Sequence, residues 1–314
     1  MTALPFRWIR AAAPGLAAAA AVLALSGCAS MGKLTEAVAA VGVATGHVTE
    51  EQAQSAVRTA NAAAKAAEDI TPQQEYYIGR SVAAALLGKY RPLDDPRLND
   101  YVNTLGQALS AASDRPETYG GYRFLVLDSD EINAFAAPGG LVLVTRGMAR
   151  LCRTEDQLAA VLAHEIGHVQ HRHGVRSIGQ SRITAALTIA AMEAGRHLGG
   201  KELAEAVTAF DGAINDVTQT LVVNGYSRGA EREADLAAVA ILQRVGYDPR
   251  ALIEMLEEMG RRLKPGGLDF AKTHPKPADR IRNIRGVVEK AGPPPAAPEA
   301  RRKRFERAMA GLGG

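Results

Sequence analysis

The feature that most limits what this chain can become is the run Val161-Leu-Ala-His-Glu-Ile-Gly-His-Val169, an H-E-x-x-H pattern inside an apolar stretch. A helix turns ~100° per residue, so His164 and His168 lie ~40° apart on one face, one turn from each other, where both can ligate one metal ion. Glu165 sits beside them, placed to take a proton from a zinc-activated water and pass it to a leaving amine. The flanks support a helix: Thr154 as N-cap with Gln157 three residues on, Glu155 and Asp156 in the positive first turn, and Gly174 as the stop. Leu158, Val161, Leu162, Ile166 and Val169 supply the apolar stripe, with the histidines on the adjacent face. Five residues can match by chance, so a third ligand, an orienting partner and a substrate platform are needed elsewhere in the chain.

The N-terminus reads as an export signal: Arg7 and Arg10, then an apolar run from Ala11 to Leu25 that is too short and Ala-rich for a membrane span. Leu25-Ser26-Gly27-Cys28 resembles the bacterial lipobox, in which the cysteine is lipidated and becomes the first mature residue. By analogy with lipoprotein sorting, the absence of Asp at position 29 implies the outer membrane of a Gram-negative cell. With the Cys28 sulfur acylated, Cys152 has no partner for a disulfide and reads as a small buried apolar residue. The formal charge of +3 falls to about +1 once Arg7 and Arg10 are removed, which is no footprint for nucleic acid. The run Arg301-Arg302-Lys303-Arg304 reads as solvated charge.

With 314 residues, 47% apolar and 23% charged, the chain suits one main globular domain with appendages. Residues 28–70 form an Ala-rich spacer. Packing begins at Thr71-Pro72, which starts a helix carrying Tyr76, Tyr77, Ile78, Val82, Leu86 and Leu87; a second helix runs from about Pro96 to Ala112. Tyr122–Leu127 and Leu141–Thr145 are β-prone, separated by Asn133-Ala-Phe-Ala-Ala-Pro-Gly-Gly140. The Pro138-Gly139-Gly140 turn is read either as a hairpin connection or as part of a functional sheet edge, and the edge is preferred because it abuts the metal helix. Two apolar stretches within residues 183–221 are short of a membrane span and read as packing helices or as a mobile lid.

A third ligand is sought in Ser227-Arg-Gly-Ala-Glu-Arg-Glu-Ala-Asp235, which opens a helix capped by Ser227 and ended near Gly246. Glu231 and Asp235 are four apart on one face, so one carboxylate can reach the metal while the other accepts a ligating histidine's ring N–H. A metzincin's third histidine would stand where this chain has Gly174; His171 and His173 read as helix-end cations.

Four ordered motifs now resemble one family. His164-Glu165-x-x-His168, Ser227-Arg228-x-x-Glu231-x-x-x-Asp235, Asn133-Ala134-Phe135 before Pro138-Gly139-Gly140, and Thr273-His274-Pro275 with Arg280-Ile281 look like the gluzincin peptidases that include HtpX, the CAAX prenyl proteases and BepA. The resemblance runs from about Thr71 to Val288 and is strongest to the compact outer-membrane lipoprotein members. It implies one zinc ion per chain held by His164, His168 and Glu231, Glu165 as general base, and Asp235 behind the ligands. Asn133 and Ala134 would bind substrate backbone. His274 would stabilise the oxyanion or occupy the fourth zinc position as a self-inhibiting switch; Arg280 would orient a loop or carry oxyanion charge. Unlike HtpX and the prenyl proteases, the mature chain offers no spanning helices. Unlike BepA, it shows no tetratricopeptide array after Gly292.

The expected fold is α+β and zincin-like, mostly helical, with a small β-sheet whose edge strand lines the cleft. The expected layout is a signal peptide at 1–27, the spacer at 28–70, a zinc metallopeptidase domain at 71–290 and a Pro/Ala linker with basic tail at 291–314. The expected function is zinc-dependent endopeptidase action on unfolded or misassembled envelope polypeptides. The rival is a chaperone-like outer-membrane assembly factor with a capped or structural zinc. The membrane would be met through lipid on Cys28, and no nucleic acid is expected.

Overall fold

The computed structural model describes residues 70–178, 200–262, 274, 276–292 and 296–312, all within the unit Ile70–Gly314. The signal, the lipobox Cys28 and the spacer up to residue 69 lie outside the described residues, as does the first part of the 183–221 stretch read as a lid. Among the described residues no helix is long and apolar enough to cross a membrane.

In chain order the elements are α1 (Pro72–Lys89), α2 (Pro96–Ala111), β1 (Arg123–Leu127), β2 (Ala134–Ala137), β3 (Leu141–Thr145), α3 (Arg146–Leu151), α4 (Glu155–Gln170), α5 (His173–Arg176), α6 (Gly200–Gln219), α7 (Arg228–Arg244), α8 (Arg250–Arg262), α9 (Pro277–Lys290) and α10 (Glu299–Met309). Thr71 closes a capping box on α1: its hydroxyl accepts from Gln74 N at 3.2 Å and Gln74 Oε1 accepts from Thr71 N at 2.7 Å. Thr154 and Ser227 cap α4 and α7 by their hydroxyls alone, each accepting from its N3 amide at 3.2 Å.

The sheet has the order β1-β3-β2, with β1 parallel and β2 antiparallel to β3. Pro138–Gly140 therefore closes a hairpin between β2 and β3, with positive φ at Gly139 (76°) and Gly140 (100°). The sheet separates two apolar layers by the period of two along each strand. Phe124, Val126, Ala134, Ala136, Val142 and Val144 join the larger cluster, which contains α2 and α4, while Leu127, Phe135, Ala137 and Leu143 join the smaller one with α1 and α6. The mostly helical architecture with a small sheet is the one expected.

Helix α4 ends earlier than Gly174. Its last residue is Gln170, and the left-handed turn that follows falls on Arg172 (φ 56°). A non-glycine residue there costs ~1–2 kcal/mol. Arg172 is held by its side chain, which bonds the fully buried Glu75 at 3.1 Å and donates to Ile70 O. Arg115 grips the same Glu75 carboxylate with two bonds of 2.9 Å. The turn releases a further helical turn, α5, instead of ending the helical run.

The basic run near the C-terminus is not simply solvated. Arg304 forks onto Glu155 in the first turn of α4, and Arg301 reaches Asp156 at 2.9 Å and Gly246 O at 3.0 Å. Glu155, 2% exposed, also accepts from Tyr101 Oη at 2.8 Å and Tyr247 Oη at 2.6 Å. Two of the four basic residues thus answer carboxylates that local sequence does not pair with them.

Candidate metal centre

Helices α4 and α7 pack directly against each other, and their facing sides carry buried polar groups among the apolar residues of the larger cluster. His164 Nε2 and His168 Nε2 are 3.1 Å apart; Glu231 presents Oε2 at 3.6 Å from the first and Oε1 at 3.5 Å from the second. Nitrogens bound tetrahedrally to zinc at 2.0–2.1 Å stand ~3.3 Å from each other, so these three groups are spaced as a ligand set. With His274, their ligand atoms all lie within 4.8 Å of one another and all four residues are buried. Among the described residues, Glu231 Oε2 and Glu165 Oε1 are buried and accept no hydrogen bond. Arg280 Nη1 stands 3.6 Å from Glu231 Oε2, too far for a hydrogen bond, so both oxygens keep lone pairs that a closer cation would take, and the donor set fits zinc.

Each imidazole turns its other nitrogen outward. His164 Nδ1 lies 3.0 Å from Asp235 Oδ1, and Arg280 grips the same carboxylate at 3.0 Å through Nε and 2.6 Å through Nη2. The 3.1 Å between Arg280 Nη2 and His164 Nδ1 follows from both donating to one oxygen. His168 Nδ1 instead meets His173 Nδ1 at 2.9 Å, and the Tyr226 ring stacks on His168 with centroids 4.2 Å apart.

Electrostatics follow from this burial. Burial, then Arg280, lowers the His164 imidazole to about 3 despite Asp235. Burial also lowers His168, keeping its nitrogen available as a ligand. Burial and then the neighbouring Glu231 push the Glu165 carboxyl up to about 8. Burial would raise Glu231 as well, but His274 and Arg280 outweigh it and hold that carboxyl well below the usual range.

Residues 96–288 match Peptidase family M48. The chain belongs to this family. The M48 match spans most of the described fold, from α2 through α9. The chain is 30% identical over 250 residues to the beta-barrel assembly-enhancing protease of Escherichia coli K12, covering 79% of this chain and 50% of that protein. It is 31% identical over 242 residues to the putative beta-barrel assembly-enhancing protease of Vibrio cholerae, covering 74% and 48%. Against the mitochondrial metalloendopeptidase OMA1 of Schizosaccharomyces pombe the identity is 34% over 155 residues, 48% of this chain and 42% of that one. The chain thus spans about half the length of these M48 relatives or less.

The structure brings His164, Glu165, His168, Glu231, Asp235, His274 and Arg280 into one buried cluster, although they are spread over more than a hundred positions. His274 Nδ1 contacts Glu231 Oε1 at 2.7 Å. Asn133 and Ala134 stand at the start of β2. Asn133 is buried, its backbone N bonds Thr145 Oγ1 at 3.1 Å, and its Oδ1 accepts from Ala134 N at 2.9 Å. Cys152 is buried, as expected, and burial pushes its thiol up.

His173 is the residue that sequence reasoning misread. It is 2% exposed rather than a helix-end cation, and burial, with His168 beside it, lowers its imidazole to about 4. No local signal marks it, because its position depends on the turn at Arg172. His171, the C-cap of α4, does sit at the helix end.

Proposed function

We propose that this chain is a zinc-dependent endopeptidase that cuts extended segments of unfolded or misassembled envelope polypeptides. The observation that carries the reading is Glu165 Oε1, a buried carboxylate oxygen without a hydrogen bond beside three side chains spaced as a zinc ligand set. Zinc bound by His164, His168 and Glu231 supplies a Lewis acid that acidifies water and polarises a peptide carbonyl. Glu165 takes the proton of the attacking water as its oxygen bonds the carbonyl carbon. The same carboxyl returns that proton to the amine as the C–N bond breaks. Asp235 orients His164, and Arg280, forked on Asp235, holds that carboxylate in place. His274, beside Glu231, is the candidate for contact with the oxyanion or for the fourth ligand position.

Edge strand β2 suits an extended substrate. Thr145 N donates to Asn133 O at 3.0 Å, so by the alternation of an antiparallel ladder Phe135 and Ala137 pair with β3 while Ala134 and Ala136 turn their backbone groups away from it. Among the described residues no strand pairs with that outer edge. Asn133 Oδ1 already takes the Ala134 N–H. Asn133 therefore takes up the first outward amide of the edge, and Ala136, 3% exposed, carries the next. Backbone pairing of this kind tolerates many sequences, which suits misfolded clients. The assembly-enhancing names of the relatives favour envelope clients, and the lipobox at Cys28 favours a lipid-tethered enzyme on the periplasmic face of the outer membrane.

The test is zinc content and casein cleavage by the purified chain, its Glu165→Gln variant and its His274→Ala variant. About one zinc per chain, with cleavage lost ~10²–10⁴-fold in Glu165→Gln, supports the reading. Slower cleavage by His274→Ala marks that residue as a helper, faster cleavage as a lock. Full zinc with no cleavage in any variant returns the assembly-factor reading.

A further inference from the structure

The two metal-facing imidazoles are anchored differently. His164 meets a buried carboxylate directly, Asp235 at 3.0 Å. His168 meets a second imidazole: Nδ1 to Nδ1 of His173 is 2.9 Å, and His173 Nε2 lies 2.9 Å from Glu233 Oε2. That carboxylate also takes Arg176 Nη1 at 3.1 Å, and its side chain is 45% exposed.

The proton positions follow from donor counting. Glu233 as a carboxylate only accepts, so His173 donates from Nε2, and its Nδ1 can accept from a His168 that ligates through Nε2 and so carries its proton on Nδ1. Two nitrogens at 2.9 Å need one proton between them, so His168 donates from Nδ1. Its Nε2 is then the lone-pair nitrogen, and Nε2 is the atom that faces His164 and Glu231. The ring is held in plane as well: Tyr226 stacks on it at 19°.

We propose that His173 and Glu233 form a positioning relay for His168, fixing its tautomer and ring orientation for the metal through an imidazole that ends on a surface carboxylate. The relay rests on the zinc reading above, and its residues touch neither metal nor substrate. Three departures from the ordinary course of the chain serve it. Helix α4 stops at Gln170, Arg172 takes the left-handed conformation, and α5 then turns His173 back beneath His168. Arg176, one turn on in α5, steadies the carboxylate at the far end.

Zinc affinity of the full chain, measured by competition with a chromophoric chelator, tests the relay without using activity. Loss of an outer partner of a metal-bound histidine typically weakens binding ~10–100-fold. His173→Phe, which keeps a ring and removes the acceptor, is expected to fall in that range. His173→Asn, whose amide oxygen can stand near Nδ1, is expected to recover to within about threefold of the unmodified chain. Glu233→Ala, at the exposed end, is expected to lose about threefold or more.

Melting of the metal-free variants reports whether each still folds, and Glu233→Ala carries the test alone if the His173 variants do not. Unchanged affinity in the folded variants, or His173→Asn as weak as His173→Phe, would overturn the relay while leaving the zinc site standing. An unmodified chain that takes up no zinc would overturn the site itself and the relay with it.

Discussion

Gly167 presses against the backbone of Ala234: a β-carbon built on Gly167 would lie 2.8 Å from Ala234 O and 2.9 Å from its Cα. The contact lies between Glu165 and His168 on one helix and between Glu231 and Asp235 on the other, so it sets how near the ligands of α4 and α7 come.

Gly167→Ala must push backbone, not a yielding side chain. The expected cost is ~1–3 kcal/mol of stability, together with weaker zinc binding because Glu231 moves off with α7. Urea unfolding and chelator competition on the purified variant check both, and a variant with unchanged zinc affinity would show that the helix spacing does not set the site.

Asp235→Ala leaves the Arg280 guanidinium buried without its bidentate acceptor and frees His164 to rotate. Breaking a buried pair in this way costs ~3–5 kcal/mol, and losing the outer partner of His164 should weaken zinc binding ~10–100-fold. Asp235→Asn, which keeps one oxygen for the ring N–H, should lose less zinc affinity than Asp235→Ala. Equal losses would argue against orientation of His164 by that oxygen.

The metal-free chain should be most stable at about pH 6.5. His164 and His173 are lowered from 6.5 to about 3 and about 4, so the unfolded chain takes up their protons first. Their contribution is present above 6.5 and is lost as pH falls below it. Glu165 has the opposite sign: raised from 4.5 to about 8, it contributes fully below 4.5 and its contribution fades as pH rises through 8. Melting temperatures with chelator from pH 4 to 9 should trace this maximum, and Glu165→Gln should flatten the alkaline side. A stability that climbs steadily to pH 9 would contradict the assignment.

Glu155→Ala strips the acceptor from Tyr101, Tyr247 and Arg304 at once. The expected loss is ~1–3 kcal/mol with zinc stoichiometry unchanged, measured by thermal melting and metal analysis. A drop in zinc content at a temperature where the chain is folded would mean that this end of α4 governs the site more directly.

What could be read from the chain were the features written locally. The H-E-x-x-H spacing, the caps Thr71, Thr154 and Ser227, and the i, i+4 pair Glu231 and Asp235 each depend on residues within one or two turns. Strand β2 escaped because Ala134-Phe-Ala-Ala137 has little strand propensity of its own; pairing with β3 and cover from both apolar layers make it a strand. His173 escaped because Glu75, 97 positions before Arg172, holds the turn that places it. Arg304 escaped for the same reason, meeting Glu155 from 149 positions away. Long-range ion pairs leave no periodic trace.

Helix α4 is pinned at both ends, by Arg304, Tyr101 and Tyr247 on Glu155 at its start and by Glu75 through Arg172 just past its end. A helix held that way has little freedom left to surrender when an ion arrives. The entropy of gathering the histidines is spent during folding, by carboxylates that never touch the metal. Zinc uptake by this chain should then resemble the filling of a rigid chelate, fast and with a small change in heat capacity, rather than the coupled folding of a metal-dependent domain.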